Sequence, residues 1–155
     1  MFYKIALIAL LALFPFQAKA VSNCDITSLN NMNFGSYDPL GQNASSPLDT
    51  TGYLRIYCFG LPYTLVVNIN QGQNPAAGSS CTSPRRQMSS ASGAKLAYGL
   101  YRDAGYSSPW GCNSSVTANI PIFLDRTFNI YGRIPAGQMI PPGAYTDTLS
   151  VTITF

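Results

Sequence analysis

Four cysteines, Cys24, Cys58, Cys81 and Cys112, are the residues whose type and spacing point most directly to chemistry. They are separated by 33, 22 and 30 intervening residues, so no CxxC pair is available to hold a zinc ion. An even count with wide spacing reads as disulfide chemistry, and four cysteines allow three pairings. The chain contains no histidine and no glutamate. That removes Ser-His-Asp and Cys-His nucleophilic sites and every zinc site built on histidine. The six aspartates, Asp25, Asp38, Asp49, Asp103, Asp125 and Asp147, are scattered, and no two lie close in sequence. The acid–base inventory of an enzyme is missing. The expectation is a non-catalytic protein without a cofactor or metal.

Disulfides need an oxidising compartment, and the N-terminus supplies a route to one. Lys4 gives a short basic start, residues 5–14 are almost all apolar, and Ala18-Lys19-Ala20 presents small residues where a signal peptidase reads. The apolar run is too short for a membrane span, which needs roughly 20 residues. Residues 1–20 are read as a signal peptide and residues 21–155 as one domain. Of nine cations two lie in the leader, leaving seven against six aspartates, a net of +1. Nothing in that balance favours nucleic acid or an anionic membrane. Arg85-Arg86 is the only basic pair after the leader and reads as a solvated loop.

The elements that must position these residues are strands. Gly, Pro, Ser, Asn and Thr recur throughout, and no stretch shows a clean 3.6-residue apolar period. Strands are expected at residues 24–29, 32–35, 51–58, 63–70 and 95–102, with a strand pair or a bent strand over 120–134. The clearest lies at the end: Leu149, Val151, Ile153 and Phe155 alternate with Thr148, Ser150, Thr152 and Thr154. Residues 40–50 and 71–83 read as loops, and 134–144, with three prolines and two glycines, as a rigid connection. On these grounds alone the last strand fits either the core of a complete sandwich or the wall of an open one. Asp147, in phase with its apolar residues, is expected to bond to backbone N–H groups.

An ordered series of short motifs carries a resemblance. Met32-Asn33-Phe34-Gly35-Ser36-Tyr37-Asp38-Pro39 follows the first cysteine, and Tyr57-Cys58 closes the next strand. Leu96-Ala97-Tyr98-Gly99-Leu100-Tyr101-Arg102-Asp103 and Trp110-Gly111 come next. Tyr131-Gly132-Arg133-Ile134-Pro135-Ala136-Gly137-Gln138 and Pro142-Gly143-Ala144-Tyr145-Thr146-Asp147-Thr148-Leu149 lead into the final strand. From Cys24 to Phe155 this series resembles the spore coat protein U domain, a family that includes subunits of Csu-type archaic chaperone–usher pili.

The resemblance implies an incomplete immunoglobulin-like β-sandwich that lacks its final strand and is completed in trans by a donor strand. It implies three partners: a periplasmic pilus chaperone, an outer-membrane usher, and a neighbouring subunit that supplies the strand. Leu149, Val151, Ile153 and Phe155 would line the docking groove. It pairs Cys24 with Cys58, which leaves Cys81 for Cys112. The implied function is a structural or adhesive subunit of a surface fibre, exported through the periplasm and engaged in attachment and biofilm formation. A secreted coat or carbohydrate-binding module that folds alone is the competing reading.

One departure from the family pattern bears on position in the fibre. With cleavage after Ala20, only Val21, Ser22 and Asn23 precede Cys24, and three residues span at most about 10–11 Å. Such a subunit would accept a strand and give none, as expected of a tip. Candidate adhesive loops then carry Phe59 and Leu61, Tyr106, and Met139 and Ile140, whereas Trp110 belongs to the core.

Overall fold

The computed structural model describes residues 23–60, 63–112, 116–120 and 123–154. The leader, Leu61 and Phe155 lie outside the described residues. The described residues are all-β, apart from a 3-10 turn at Gln42–Ala44. Its strands are β1 (Asn23–Leu29), β2 (Leu48–Phe59), β3 (Tyr63–Ile69), β4 (Arg86–Ser90), β5 (Lys95–Tyr101), β6 (Val116–Ile120), β7 (Phe123–Ile134), β8 (Tyr145–Thr146) and β9 (Val151–Thr154).

Two antiparallel sheets form a sandwich. One runs β1-β2-β7-β5-β4-β8, the other β6-β3-β9. The backbone of the larger sheet is the β2–β7 pair, in register from Leu48↔Ile134 to Phe59↔Phe123. Period-2 alternation explains why both strands are long. Leu54, Ile56 and Cys58 point inward and are buried, as are Phe128, Ile130 and Ile134 of β7, which lie opposite Leu54, Gly52 and Leu48. The outer face mixes exposed Tyr53, Tyr57 and Phe59 with ion pairs. Arg133 donates from Nε and Nη2 to the two Asp49 oxygens, both at 2.7 Å, and Arg55 pairs with Asp125. In the smaller sheet Leu65, Val67 and Ile69 of β3 form the opposing inner face. Trp110 is 1% exposed between the layers and donates its indole N–H to the Val67 carbonyl.

Both disulfides are formed. Cys24 and Cys58 are direct cross-strand partners on the buried face, so the bridge fastens β1 to β2. Cys81 and Cys112 join the loop before β4 to the loop after Trp110.

Several expected elements differ. Residues 120–134 do not bend at Asp125-Arg126: β7 is continuous from Phe123, because β2 pairs with it at every step. Residues 32–35 form no strand. The final strand is interrupted, with β8 paired to β4 and β9 to β3. Arg86 is not in a solvated loop but opens β4, and it is 1% exposed.

Candidate functional site: an open seam between two unpaired edges

The seam begins where β1 leaves its neighbour. Its last ladder pair is Leu29↔Leu54. Beyond it one backbone bond remains, Asn30 N–H to the Tyr53 carbonyl at 3.3 Å, and side chains then take over: Tyr53 N–H donates to Asn30 Oδ1 at 2.6 Å, and the Thr50 hydroxyl donates to the Asn33 carbonyl at 2.9 Å. Glycines explain the departure. A Cβ on Gly52 would stand 2.6 Å from Met32 Cγ, and one on Gly132 would stand 2.6 Å from Met32 Cε. Met32 and Phe34 therefore rest on bare backbone, where any other residue would lift them away. Among the described residues, 30–38 has no strand partner, and Met32 and Phe34 are only half-buried.

The opposite wall is the end of the chain. Tyr145, Asp147, Leu149, Val151 and Ile153 face inward and are half-buried, while Thr146, Thr148, Ser150, Thr152 and Thr154 are exposed. The interruption between β8 and β9 marks a crossing from one sheet to the other. Side chains brace it: Asp147 Oδ1 accepts from Gln73 N–H and Thr148 N–H, both at 2.9 Å, and Asn70 Oδ1 accepts from Ser150 N–H at 3.0 Å. β9 pairs with β3 along one edge, and its other edge has no partner among the described residues.

Between the walls lie two cavities of about 340 and 710 Å³, both lined by Met32, Phe34, Met88 and Tyr145, so they form one groove. Leu29 and Val151 line the first cavity; Leu40 and Met139 line the second. The walls therefore run in opposite directions. The floor holds Ile69, Met88, Leu100 and Ile130, all buried. The far end is braced by Tyr37, whose hydroxyl donates to the Pro135 carbonyl and accepts from Gln138 N–H, both at 2.9 Å.

Beneath the middle sits a polar cluster that the sequence did not reveal. Arg86 donates from Nε to the Asn70 carbonyl at 2.9 Å and from Nη2 to the Trp110 carbonyl at 2.7 Å. Burial pushes its guanidinium down from the ordinary value, while nearby Tyr98 and Asp147 oppose that shift. Tyr98, directly across the ladder from Arg86, donates its hydroxyl to Asp147 Oδ2 at 2.7 Å. Burial first, and the bond to Asp147 second, drive the Tyr98 phenol far above its usual range. Only the two-residue step from Arg86 to Met88, a buried apolar residue, hints in the sequence that Arg86 faces inward.

The expected site residues fall in three places. Leu149 and Val151 line the first cavity, and Ile153 packs on the core beside them. Met139 and Ile140, expected on an adhesive loop, line the second cavity. Phe59 is exposed at the end of β2. Tyr106 is half-buried with φ +56°, its ring 3.6 Å from the Arg133 guanidinium and edge-on to Tyr101 and Tyr131.

Fold and groove together define an all-β sandwich left open along one seam. Residues 10–152 match the family model described as the Spore Coat Protein U domain, and the chain belongs to that family. Protein U of Myxococcus xanthus is 40% identical over 130 residues, covering 80% of this chain and 71% of the relative. Among solved structures, the chain resembles one from the CsuC–CsuE chaperone–tip adhesion subunit pre-assembly complex of the archaic chaperone–usher Csu pili of Acinetobacter baumannii. The TM-score is 0.57 at 22% identity, over 87% of this chain and 40% of that one. This likeness is one of fold, and the chain spans less than half the length of that solved chain.

Proposed function

We propose that this protein is a non-catalytic subunit of a chaperone–usher-assembled surface fibre, and that its seam accepts an extended strand from another polypeptide. One observation carries the reading. The inward apolar residues of both walls are only half-buried, while the floor beneath them is fully buried. That is the pattern of a layer with its cover removed. A strand laid between the two walls would satisfy their unpaired backbone groups and cover the apolar floor. Left uncovered, such an edge is an aggregation site. A periplasmic chaperone would supply the first strand, an outer-membrane usher would receive the complex, and a neighbouring subunit would supply the final strand. Surface attachment and biofilm formation are the roles such a fibre would serve.

The test is periplasmic expression of the chain with and without its cognate chaperone. Soluble protein only with the chaperone, or with a synthetic alternating-apolar peptide, supports the reading. A stable soluble monomer without either contradicts it and favours a coat or carbohydrate-binding module that folds alone. A tip position rests on cleavage after Ala20. N-terminal sequencing of the exported chain should read Val21 first; a start upstream of Ala18 contradicts it.

A further inference from the structure

Alternating apolar residues suffice to bind a groove of this kind, but they do not fix where along it the strand stops. A slip of two residues keeps every apolar side chain on the same face. Register therefore needs a position unlike the others. The first cavity contains one. Asn30, Asn31, Thr146 and Thr148 also line it, but Asp147 is the one charged residue in that lining, bonded to Tyr98 and in phase between Tyr145 and Leu149 on the inward face.

The bonds of Asp147 are unevenly shared. Oδ1 accepts from Gln73 N–H and Thr148 N–H, whereas Oδ2 accepts from the Tyr98 hydroxyl alone among the described residues. A carboxylate has about four acceptor sites, so Oδ2 retains one. Arg86 lies close by; its Nε and Nη2 bond to the carbonyls of Ile69, Asn70 and Trp110, and its buried Nη1 has no hydrogen-bond partner and makes no bond to Asp147. Half-buried Asp147 can draw on water while the groove is open. A strand lying over it removes that water. An apolar side chain placed opposite would leave the remaining site unmet, which carries the full desolvation penalty. A hydrogen-bond donor placed there would meet it.

Building on the strand-acceptor reading, we infer that the groove selects a strand whose inward apolar residues are interrupted once, facing Tyr98 and Asp147, by a side chain that donates a hydrogen bond. That residue sets the register of the incoming strand. The floor to either side, Met88 and Leu100, offers such a group no partner of comparable strength.

The test uses synthetic 12-residue peptides with terminal lysines, isoleucine at inward positions and threonine at outward ones. Each of five variants carries asparagine at one inward position. The exported chain is unfolded with its disulfides intact, refolded with each peptide, and the dissociation constant is measured by competition against the labelled parent. Asparagine at one position should bind about tenfold tighter than isoleucine, the scale of a hydrogen bond to a charged group, and should weaken binding elsewhere. Asp147→Asn should abolish that preference. Should that variant fail to refold, Tyr98→Phe serves instead, because it frees Oδ2 entirely and should increase the preference. If the parent binds and asparagine weakens every position, the register inference is overturned while the strand-acceptor reading stands. If no peptide binds, both fall.

Discussion

Gly132 lies directly beneath Phe34, and a Cβ there would stand 2.8 Å from the ring Cζ. The wall of the groove is thus positioned by a side chain that is absent. Gly132→Val should drive Phe34 and Met32 off the sheet and into the seam. The expected cost is about 1–3 kcal/mol of stability, as for overpacking, with at least tenfold weaker binding of any inserted strand. Thermal melting and peptide titration check the two effects separately.

Tyr98 ties the floor to the far wall through Asp147. Tyr98→Phe should cost about 1.5–3 kcal/mol, the worth of a hydrogen bond to a charged group. The pH dependence is a sharper signature. The phenol's pKa is raised in the folded protein, so its contribution is complete below the unfolded value near 10 and is lost above it. Stability should fall by about 1.4 kcal/mol per pH unit above pH 10. Tyr106 is also raised by burial and remains in the variant, so denaturant melts between pH 9 and 11 should fall more steeply in the native chain than in Tyr98→Phe.

The Cys81–Cys112 bridge closes a sequence separation of 31. Replacing both cysteines with serine should cost about 3–4 kcal/mol by the chain-entropy relation. The bridge lies away from the groove walls. Peptide affinity of the folded double variant should therefore stay within about twofold, measured at a temperature where it remains native.

Asp49 is held below the usual carboxylate range by its hydrogen bonds from Arg133, against a smaller opposing effect of burial. A lowered folded pKa stabilises above the unfolded value near 4, and the stabilisation is lost as pH falls through the folded one. The pair is partly exposed, so solvent screening keeps its worth below about 1 kcal/mol. Asp49→Asn should lower stability at pH 7 and flatten the acid limb below pH 4. Chemical melts from pH 2 to 7 measure both.

Much of this was legible from spacing alone. Leu54, Ile56 and Cys58 announced β2, and Leu65, Val67 and Ile69 announced β3, because one face is buried and the period is two. The alternation from Leu149 to Ile153 marked the inner face of the last wall, but not its break. That break depends on Asp147 and Asn70 capturing N–H groups from residues far apart in the chain. Residues 32–35 alternate like a strand and form none. What removes their ladder is the pair of glycines beneath them, Gly52 and Gly132, on two other strands. Arg86 reads as solvated because charge ordinarily marks solvent; here three backbone carbonyls take the place of water at its Nε and Nη2, and Nη1 is buried without a hydrogen-bond partner.

Amide hydrogen exchange tests the central claim most directly. In the chain refolded without any strand, the amides of residues 31–34, 36 and 37 and of β9's free edge should exchange within seconds to minutes, whereas those of Asn30, Gly35 and Asp38 are bonded within the chain. With an alternating-apolar peptide bound, amides on both walls should slow together by at least a hundredfold, while β2 and β7 are already protected in either state. Protection of both walls in the peptide-free chain, or no change on adding peptide, would contradict an open seam that awaits a partner's strand.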